Sequence, residues 1–215
     1  DLHPRVRRQR QMCIRDSGGI AIPVINPLSM ETIKANLDLA NAAHPFAVSL
    51  VIDSAGLPHL KKVSPDAGAK SVEQLRELCE YAEMPVIIKG VMTAQGAVKA
   101  ADAGSAAIVV SNHGGRVLAG AAATAEVLPE IVEAVGGRVK IIVDGGIRSG
   151  TDIFRALALG ADAVMICRPI LISYYGGRTD GIVTYVEKLR AELKDAMYMC
   201  GARKISDIDR SMIRF

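Results

Sequence analysis

The 215-residue sequence contains no tryptophan, and aromatic residues make up only 4% of it. Its four cysteines are far apart and show no paired spacing: Cys13, Cys79, Cys167 and Cys200. This spacing argues against a zinc site or a disulfide framework and favours a reducing compartment. No apolar run approaches the roughly 18 residues of a membrane span, and no apolar stretch follows the basic start as it would in a secretory signal. We therefore expect a cytoplasmic location.

A strong excess of one charge is also missing. The 26 Lys and Arg residues against 23 Asp and Glu residues give a formal net charge of +3, and several of the positive charges lie within the first ten residues. The rest of the chain is closer to neutral, so we expect no nucleic-acid partner.

The first 17 residues show no hydrophobic periodicity, and the segment from Arg10 to Ser17 resembles translated cloning or sequencing-adapter sequence. We interpret residues 1–17 as a non-native or disordered tail, with a natural basic tail as the alternative. Residues 18–215 are predicted to form one domain.

Short apolar runs rich in Val and Ile recur along the rest of the chain. Most are too continuous for a strand with one solvent-exposed face, so they predict buried parallel strands. The six runs are Ile20–Ile25, Phe46–Ile52, Pro85–Ile88, Ala106–Val110, Val139–Val143 and Ala163–Ile166.

Amphipathic helices are predicted between these strands, and three of the six follow a Ser or Thr that suits a helix N-cap: Ser29, Ser71 and Thr93. They lie at Glu31–Ala43, Val72–Ala82, Ala94–Ala103, Thr124–Val135, Thr151–Leu159 and Gly181–Cys200. The alternation predicts an α/β fold with a parallel sheet, either open and doubly wound or closed into a barrel. The glycine-rich turn of a dinucleotide-binding fold is missing after the first strand, which weakens the open-sheet alternative. A whole TIM (β/α)8 barrel has eight units, so about six units predict a barrel truncated at its N-terminus.

Polar residues follow five consecutive predicted strands, at the end where barrel enzymes carry their functional groups. They are Asp53, Lys89, the segment Ser111–Arg116, the segment Asp144–Gly150 and the pair Cys167–Arg168. His113 and Arg116 suit a general base and a carboxylate anchor, because imidazole titrates near neutral pH and guanidinium binds carboxylates bidentately. The alternative is an ordinary structural loop.

The segment from Asp144 to Thr151 has the features of a phosphate site. Its glycines let main-chain N–H groups approach an anion, the following helix offers its positive N-terminus, and Arg148 adds charge. Arg168 ends the last strand, at the other position where barrels bind phosphate. The alternative is a plain glycine turn that caps a helix.

Three motifs resemble the FMN-dependent α-hydroxy-acid oxidases and dehydrogenases, the family of glycolate oxidase and lactate oxidase. They are Ser111–Arg116, Asp144–Asp152, and Ala156–Ala161 together with Arg168 and Pro169. The resemblance runs from about Gly18 to the C-terminus. It implies a partial FMN-binding barrel and a flavoprotein that oxidises a small 2-hydroxy acid to the 2-oxo acid by hydride transfer to FMN. It also implies a homo-oligomer at full length.

The resemblance implies a role for each site residue. His113 matches the active-site base, Asp53 the carboxylate that stabilises its protonated form, and Arg116 the arginine that binds the substrate carboxylate. Lys89 matches the lysine beside flavin N1 and O2, and Ser111 lies against the isoalloxazine ring. The remaining cofactor contacts are Asp144, Gly145, Gly146, Arg148, Cys167 and Arg168. No metal site is expected.

The sequence departs from the family at three positions. The strand Ile20–Ile25 lacks the expected tyrosine, and the expected arginine after Asp53 is missing, with Lys61 and Lys62 better interpreted as surface lysines. Cys167 stands where the family usually has glycine. These changes leave the substrate open, and the sequence does not reveal the electron acceptor. Two alternatives remain: another FMN barrel enzyme, such as a type 2 isopentenyl-diphosphate isomerase, and a catalytically inactive fragment.

Overall fold

The computed structural model describes residues 19–214, so the interpretation of residues 1–17 as a tail lies outside the described residues. The described chain contains one sheet of six parallel strands. The strands are β1 (Val24–Ile25), β2 (Val48–Val51), β3 (Val86–Val91), β4 (Ala107–Val110), β5 (Lys140–Val143) and β6 (Ala163–Val164). Each of the six predicted strands is therefore present.

Helices connect the strands, and the three predicted N-caps are confirmed. The side chains of Ser29, Ser71 and Thr93 each accept a main-chain N–H group from the first turn of the helix that follows. The helices are α1 (Met30–Asn41), α2 (Pro58–Val63), α3 (Val72–Tyr81), α4 (Ala94–Asp102), α5 (Thr124–Val135), α6 (Gly150–Ala158) and α7 (Arg168–Met199). Helix α7 departs from helical geometry at Gly177 and Arg178. Within residues 19–214, no helix has the length and apolarity needed to cross a bilayer.

The order of the strands distinguishes the two predicted architectures. Neighbours in the sheet are also neighbours in sequence, from β1 to β6. A doubly wound sheet reverses its order near the middle, whereas a barrel winds in one direction. The sheet is not closed, because β1 pairs only with β2 and β6 only with β5 among the described strands. The fold is therefore a partial barrel of six βα units.

The two faces of the sheet carry different side chains, because successive residues of a strand point to opposite faces. The outer face packs against the helices through a large apolar core that includes Ile88 and Leu37. The inner face has a small separate cluster formed by Ala47, Ile87, Ala107 and Val109. Further along the strands on this inner face come Lys89, Ser111 and Asp144, which places polar groups inside the partial barrel at one end.

Four elements differ from the prediction. Strands β1 and β6 are shorter than the predicted Ile20–Ile25 and Ala163–Ile166, because each lies at an end of the sheet and pairs on one side only. Helix α2 was not predicted, since six residues are too few to show a helical period. Helix α7 begins at Arg168 instead of near Gly181, because a glycine pair interrupts its pattern.

Candidate active site

An Asp–His pair lies at the carboxyl ends of the strands. Asp53 follows β2 and His113 follows β4, and His113 Nδ1 lies 3.0 Å from Oδ2 and 3.1 Å from Oδ1 of Asp53. The Asp53 side chain is 10% exposed and that of His113 is 34% exposed. Because an ionised carboxylate only accepts hydrogen bonds, Nδ1 carries the hydrogen and Nε2 keeps its lone pair in the neutral ring. The arrangement suits proton uptake at Nε2.

The loop that carries His113 is held by short polar contacts. Asn112 Oδ1 accepts the Gly114 N–H group at 3.0 Å, and Asn112 Nδ2 donates to the Ala122 carbonyl at 3.1 Å. His113 has a φ of +56°, a conformation that is unusual for a residue with a side chain. Such strain is typical of functional sites, and here it aims the ring at Asp53.

Lys89 lies at the centre of a second polar group, together with Ser111 and Asp144. Its Nζ atom donates to Ser111 Oγ at 2.7 Å and lies 3.1 Å from Asp144 Oδ2. Ser111 Oγ also accepts the His113 N–H group at 3.2 Å, which links this group to the Asp–His pair. The other carboxylate oxygen, Asp144 Oδ1, is buried and has no hydrogen-bond partner among the described residues. A buried acceptor without a partner indicates a place for a donor group of a ligand.

Three arginines line the cleft beside these groups. Arg116, Arg148 and Arg168 are exposed, and none has an acidic partner in the described part of the chain. A Cβ atom on Gly114 would lie 3.0 Å from Arg168 Nη2, so this guanidinium lies against the histidine loop. The cleft has a volume of about 250 Å³, and its lining runs from Lys89 to Pro169 along the chain. Unpaired guanidinium groups favour an anionic ligand here.

The glycine turn after β5 has an open main chain but a helix N-terminus that is already bonded. Gly145 and Gly146 have φ values of +89° and +80°, which side chains rarely adopt. Asp152 Oδ2 accepts the N–H groups of Arg148 and Ser149 at 3.1 and 3.0 Å.

Gly150, the first residue of α6, donates its N–H group to Glu192 Oε2 of α7 at 2.8 Å. The N–H groups of Gly150 and Asp152 in the first turn of α6 therefore donate within the protein, which leaves this helix N-terminus fewer free donors for binding an anion. The glycine turn and the arginine side chains remain for that role. The sequence could not show this, because Glu192 is distant from the turn along the chain.

One buried side chain that supports the site was missed. Thr124, predicted only as the start of a helix, is 4% exposed, and its hydroxyl donates to the Asp144 carbonyl at 2.7 Å. A Cβ atom on Gly145 would lie 3.3 Å from Thr124 Oγ1. Thr124 therefore fixes the main chain where the glycine turn begins.

The departures noted in the sequence are also visible. Lys61 and Lys62 are both exposed on α2 and are not among the described residues that line the cleft. Strand β1 contributes no side chain to the cleft lining, and Cys167 is exposed at the start of α7. The arginines of the cleft lining therefore come from the segments after β4, β5 and β6, and the loop after β2 supplies no cation to that lining among the described residues.

Comparisons with known proteins agree with this geometry. The model of the family described as FMN-dependent dehydrogenase matches residues 26–215. The chain is 43% identical over 145 residues to a peroxisomal (S)-2-hydroxyacid oxidase of Arabidopsis thaliana, which covers 67% of this chain and 39% of the relative. It is 42% identical over 173 residues to the 4-hydroxymandelate oxidase of Amycolatopsis orientalis, covering 80% of this chain and 46% of the relative. The chain spans less than half the length of these curated relatives.

Solved structures show the same fold. A mandelate oxidase variant with a monooxide FMN adduct matches with a TM-score of 0.79 at 35% identity, over 93% of this chain and 64% of that one. A second mandelate oxidase structure matches with a TM-score of 0.75 at 30% identity, over 93% of this chain and 71% of that one. These likenesses confirm the prediction of a TIM barrel that is only partly present.

Proposed function

Because the chain belongs to the FMN-dependent dehydrogenase family, we propose that the complete protein oxidises a small 2-hydroxy acid to the 2-oxo acid with FMN as its cofactor. The hydroxy-acid oxidases among its relatives support this proposal. The observation that carries it is the contact between Asp53 and His113 Nδ1 at 3.0 Å, beside a cleft with three arginines that have no acidic partner within residues 19–214.

The residues around the cleft divide the chemistry between them. His113 takes the hydroxyl proton of the substrate at Nε2, and Asp53 stabilises the imidazolium that results. Arg116 binds the substrate carboxylate through its guanidinium group. FMN bound in the cleft would supply the acceptor for the hydride of the substrate carbon.

The donor and acceptor groups of the cleft fit FMN. The Lys89 ammonium group and Ser111 would face the flavin ring, and Asp144 Oδ1, which has no partner among the described residues, would accept a hydrogen bond from a ribityl hydroxyl. The phosphate would be held by positive side chains and main-chain N–H groups of Gly145, Gly146, Arg148, Cys167 and Arg168. Cys167 would contribute through its main chain, since its side chain is exposed at the cleft.

Replacing the histidine tests the proposal. In the full-length protein, His113→Ala should slow flavin reduction by 2-hydroxy acids by about 10²- to 10⁴-fold, because no group remains to take the proton. FMN affinity should stay within a factor of a few, measured by fluorescence titration. His44→Ala is the matched control, because His44 also has a positive φ, +46°, but lies outside the cleft lining. Flavin reduction at the wild-type rate in His113→Ala would refute the role of the base.

A catalytically inactive chain is the second candidate. The open sheet favours it, because β1 and β6 each lack a neighbour on one side and β1 supplies no side chain to the cleft. Titrating the 215-residue chain with FMN separates the two outcomes. Tight binding without reduction by any 2-hydroxy acid supports the inactive chain, whereas reduction supports oxidation. The isomerase alternative lacks this support, since the named relatives are oxidases.

The location and assembly of the protein remain proposals. We propose a cytoplasmic protein from its cysteine spacing, although a curated relative is described as peroxisomal. We also propose a homo-oligomer at full length. Fluorescent tagging of the complete protein and analytical ultracentrifugation test these two points.

A further inference from the structure

Strand β3 contains an irregularity at Gly90. Lys89 and Val91 pair with consecutive residues of β4, so Gly90 is an extra residue without a partner in that strand. Its φ of +104° lies in the left-handed region that favours glycine. The extra residue shifts the alternation of side chains between the two faces of the sheet. Ile88 and Val91 are three positions apart, yet both pack into the outer core. Bulges of this kind redirect neighbouring side chains, and here Lys89 stays on the inner face.

Gly90 also lies directly against Asp53. A Cβ atom on Gly90 would lie 2.6 Å from Asp53 Cβ, 2.7 Å from Cγ and 2.9 Å from the main-chain nitrogen. Real Cβ atoms essentially never approach other heavy atoms so closely, so any side chain at Gly90 must displace Asp53. The carboxylate that would move is the one that contacts His113 Nδ1.

We propose that Gly90 is a positioning residue of the candidate active site, whose missing side chain keeps Asp53 within hydrogen-bonding distance of His113 Nδ1. The hydrogen of the neutral ring is thereby held on Nδ1, and Nε2 is left free to take a proton. The value of this tautomer for catalysis rests on the proposed function, whereas the contact belongs to the chain itself.

The test compares Gly90→Ala with a glycine of similar conformation in open space. Gly104 has a φ of +88°, and the nearest atom to a Cβ there would be Cys79 Cβ at 3.9 Å. Both substitutions strain the main chain, but only the one at Gly90 meets Asp53. The readout is the imidazole ¹⁵N NMR spectrum of His113 in its neutral form, assigned by the signal missing from His113→Gln.

We expect the Nδ1–H tautomer to dominate in the wild-type chain and in Gly104→Ala. In Gly90→Ala the ratio of the two neutral tautomers should shift towards the Nε2–H form. The same shift is expected in Asp53→Ala, which removes the acceptor altogether. A folded Gly90→Ala with the wild-type tautomer ratio would overturn the proposal. No flavin is needed, so failure of FMN binding or oxidation does not affect this result.

If Gly90→Ala does not fold, the same substitution is made together with Asp53→Gly, which removes the two side-chain contacts. Recovery of cooperative urea unfolding in the double variant supports the proposal, because the obstacle is then the Asp53 side chain. Failure to fold in both backgrounds overturns it and makes Gly90 a purely structural requirement of the strand.

Discussion

The position of the hydrogen on the His113 ring depends on Asp53 more than on the loop that carries His113. The carboxylate decides which ring nitrogen carries the hydrogen. Ser111 connects the main chain of His113 to Lys89, because its hydroxyl oxygen accepts from both the Lys89 ammonium group and the main-chain N–H group of His113. A change at any of these four side chains should therefore be felt at the others, in the way coupled polar networks behave.

The cysteines give a prediction at the same scale. Burial raises the pKa of Cys79 to about 11, so at pH 8 its thiolate fraction is about a hundredfold below that of a thiol with the ordinary pKa of 9.0. Cys167 and Cys200 are exposed and should be alkylated by iodoacetamide well before Cys79. Saturating FMN should slow alkylation of Cys167 alone, because Cys167 lines the cleft. Mass spectrometry of tryptic peptides measures each rate.

Cys200 is the internal control for this experiment, since it lies at the end of α7, away from the candidate cofactor cleft. Equal rates for Cys167 with and without FMN would place the cofactor elsewhere. Rapid labelling of Cys79 in the folded chain would contradict its burial.

The sequence predicted single site residues where they lie in a recognisable short pattern, such as a charged group after an apolar strand. The sequence identified His113 and Asp53 because charged groups after buried strands are unusual. It did not reveal that Gly90 touches Asp53 or that Glu192 bonds Gly150, since both contacts join parts of the chain that only the fold brings together.

Among the helices and strands, α6 and α7 make an unusually close contact at Gly150. Gly150 begins α6 so close to the main chain of α7 that a Cβ atom there would collide with Leu193 and Leu189. Glu192 bonds the Gly150 N–H group, and this hydrogen bond lowers the pKa of the Glu192 carboxyl. A carboxylate at a helix N-terminus is also favoured by the helix dipole.

This contact gives a prediction on pH. Because the folded pKa of Glu192 lies below its ordinary value of 4.5, the stabilisation is present above that value and is lost as the pH falls through the folded pKa. Glu192→Ala should therefore lower the urea midpoint at pH 7, and the difference from wild type should shrink as the pH is lowered below 4.5. Glu187→Ala, an exposed position on the same helix, is the control. A difference that stays constant as the pH falls would contradict the linkage.

Among the strands and helices, the sequence predicted those that a hydrophobic period or an N-cap reveals. All six strands and most helices were found from Val- and Ile-rich runs and from N-caps. The ends of β1 and β6 were overestimated, because an apolar run does not reveal which strands have a neighbour on only one side. Helix α2 escaped because its six residues contain too little pattern.

The whole molecule exposes apolar groups beside its two open sheet edges. Ile20 and Val24 near β1 are 77% and 60% exposed, and Ile172 and Tyr175 in α7 after β6 are 70% and 80% exposed. Unpaired edges promote association between chains, and barrels avoid this by closing. We expect residues 18–215 alone to self-associate or to unfold at low urea concentration, as measured by size-exclusion chromatography and urea titration. A monomer with an ordinary unfolding free energy of about 5–15 kcal/mol would refute the argument.

The order of the strands also sets the order in which the site can assemble. Asp53 and His113 are 60 positions apart, and β3 lies between the strands that precede them. The two side chains can therefore meet only after β3 has paired on both sides. A folding intermediate that contains any two of these three strands lacks the pair, so the imidazole tautomer of His113 reports the completion of the central sheet during refolding.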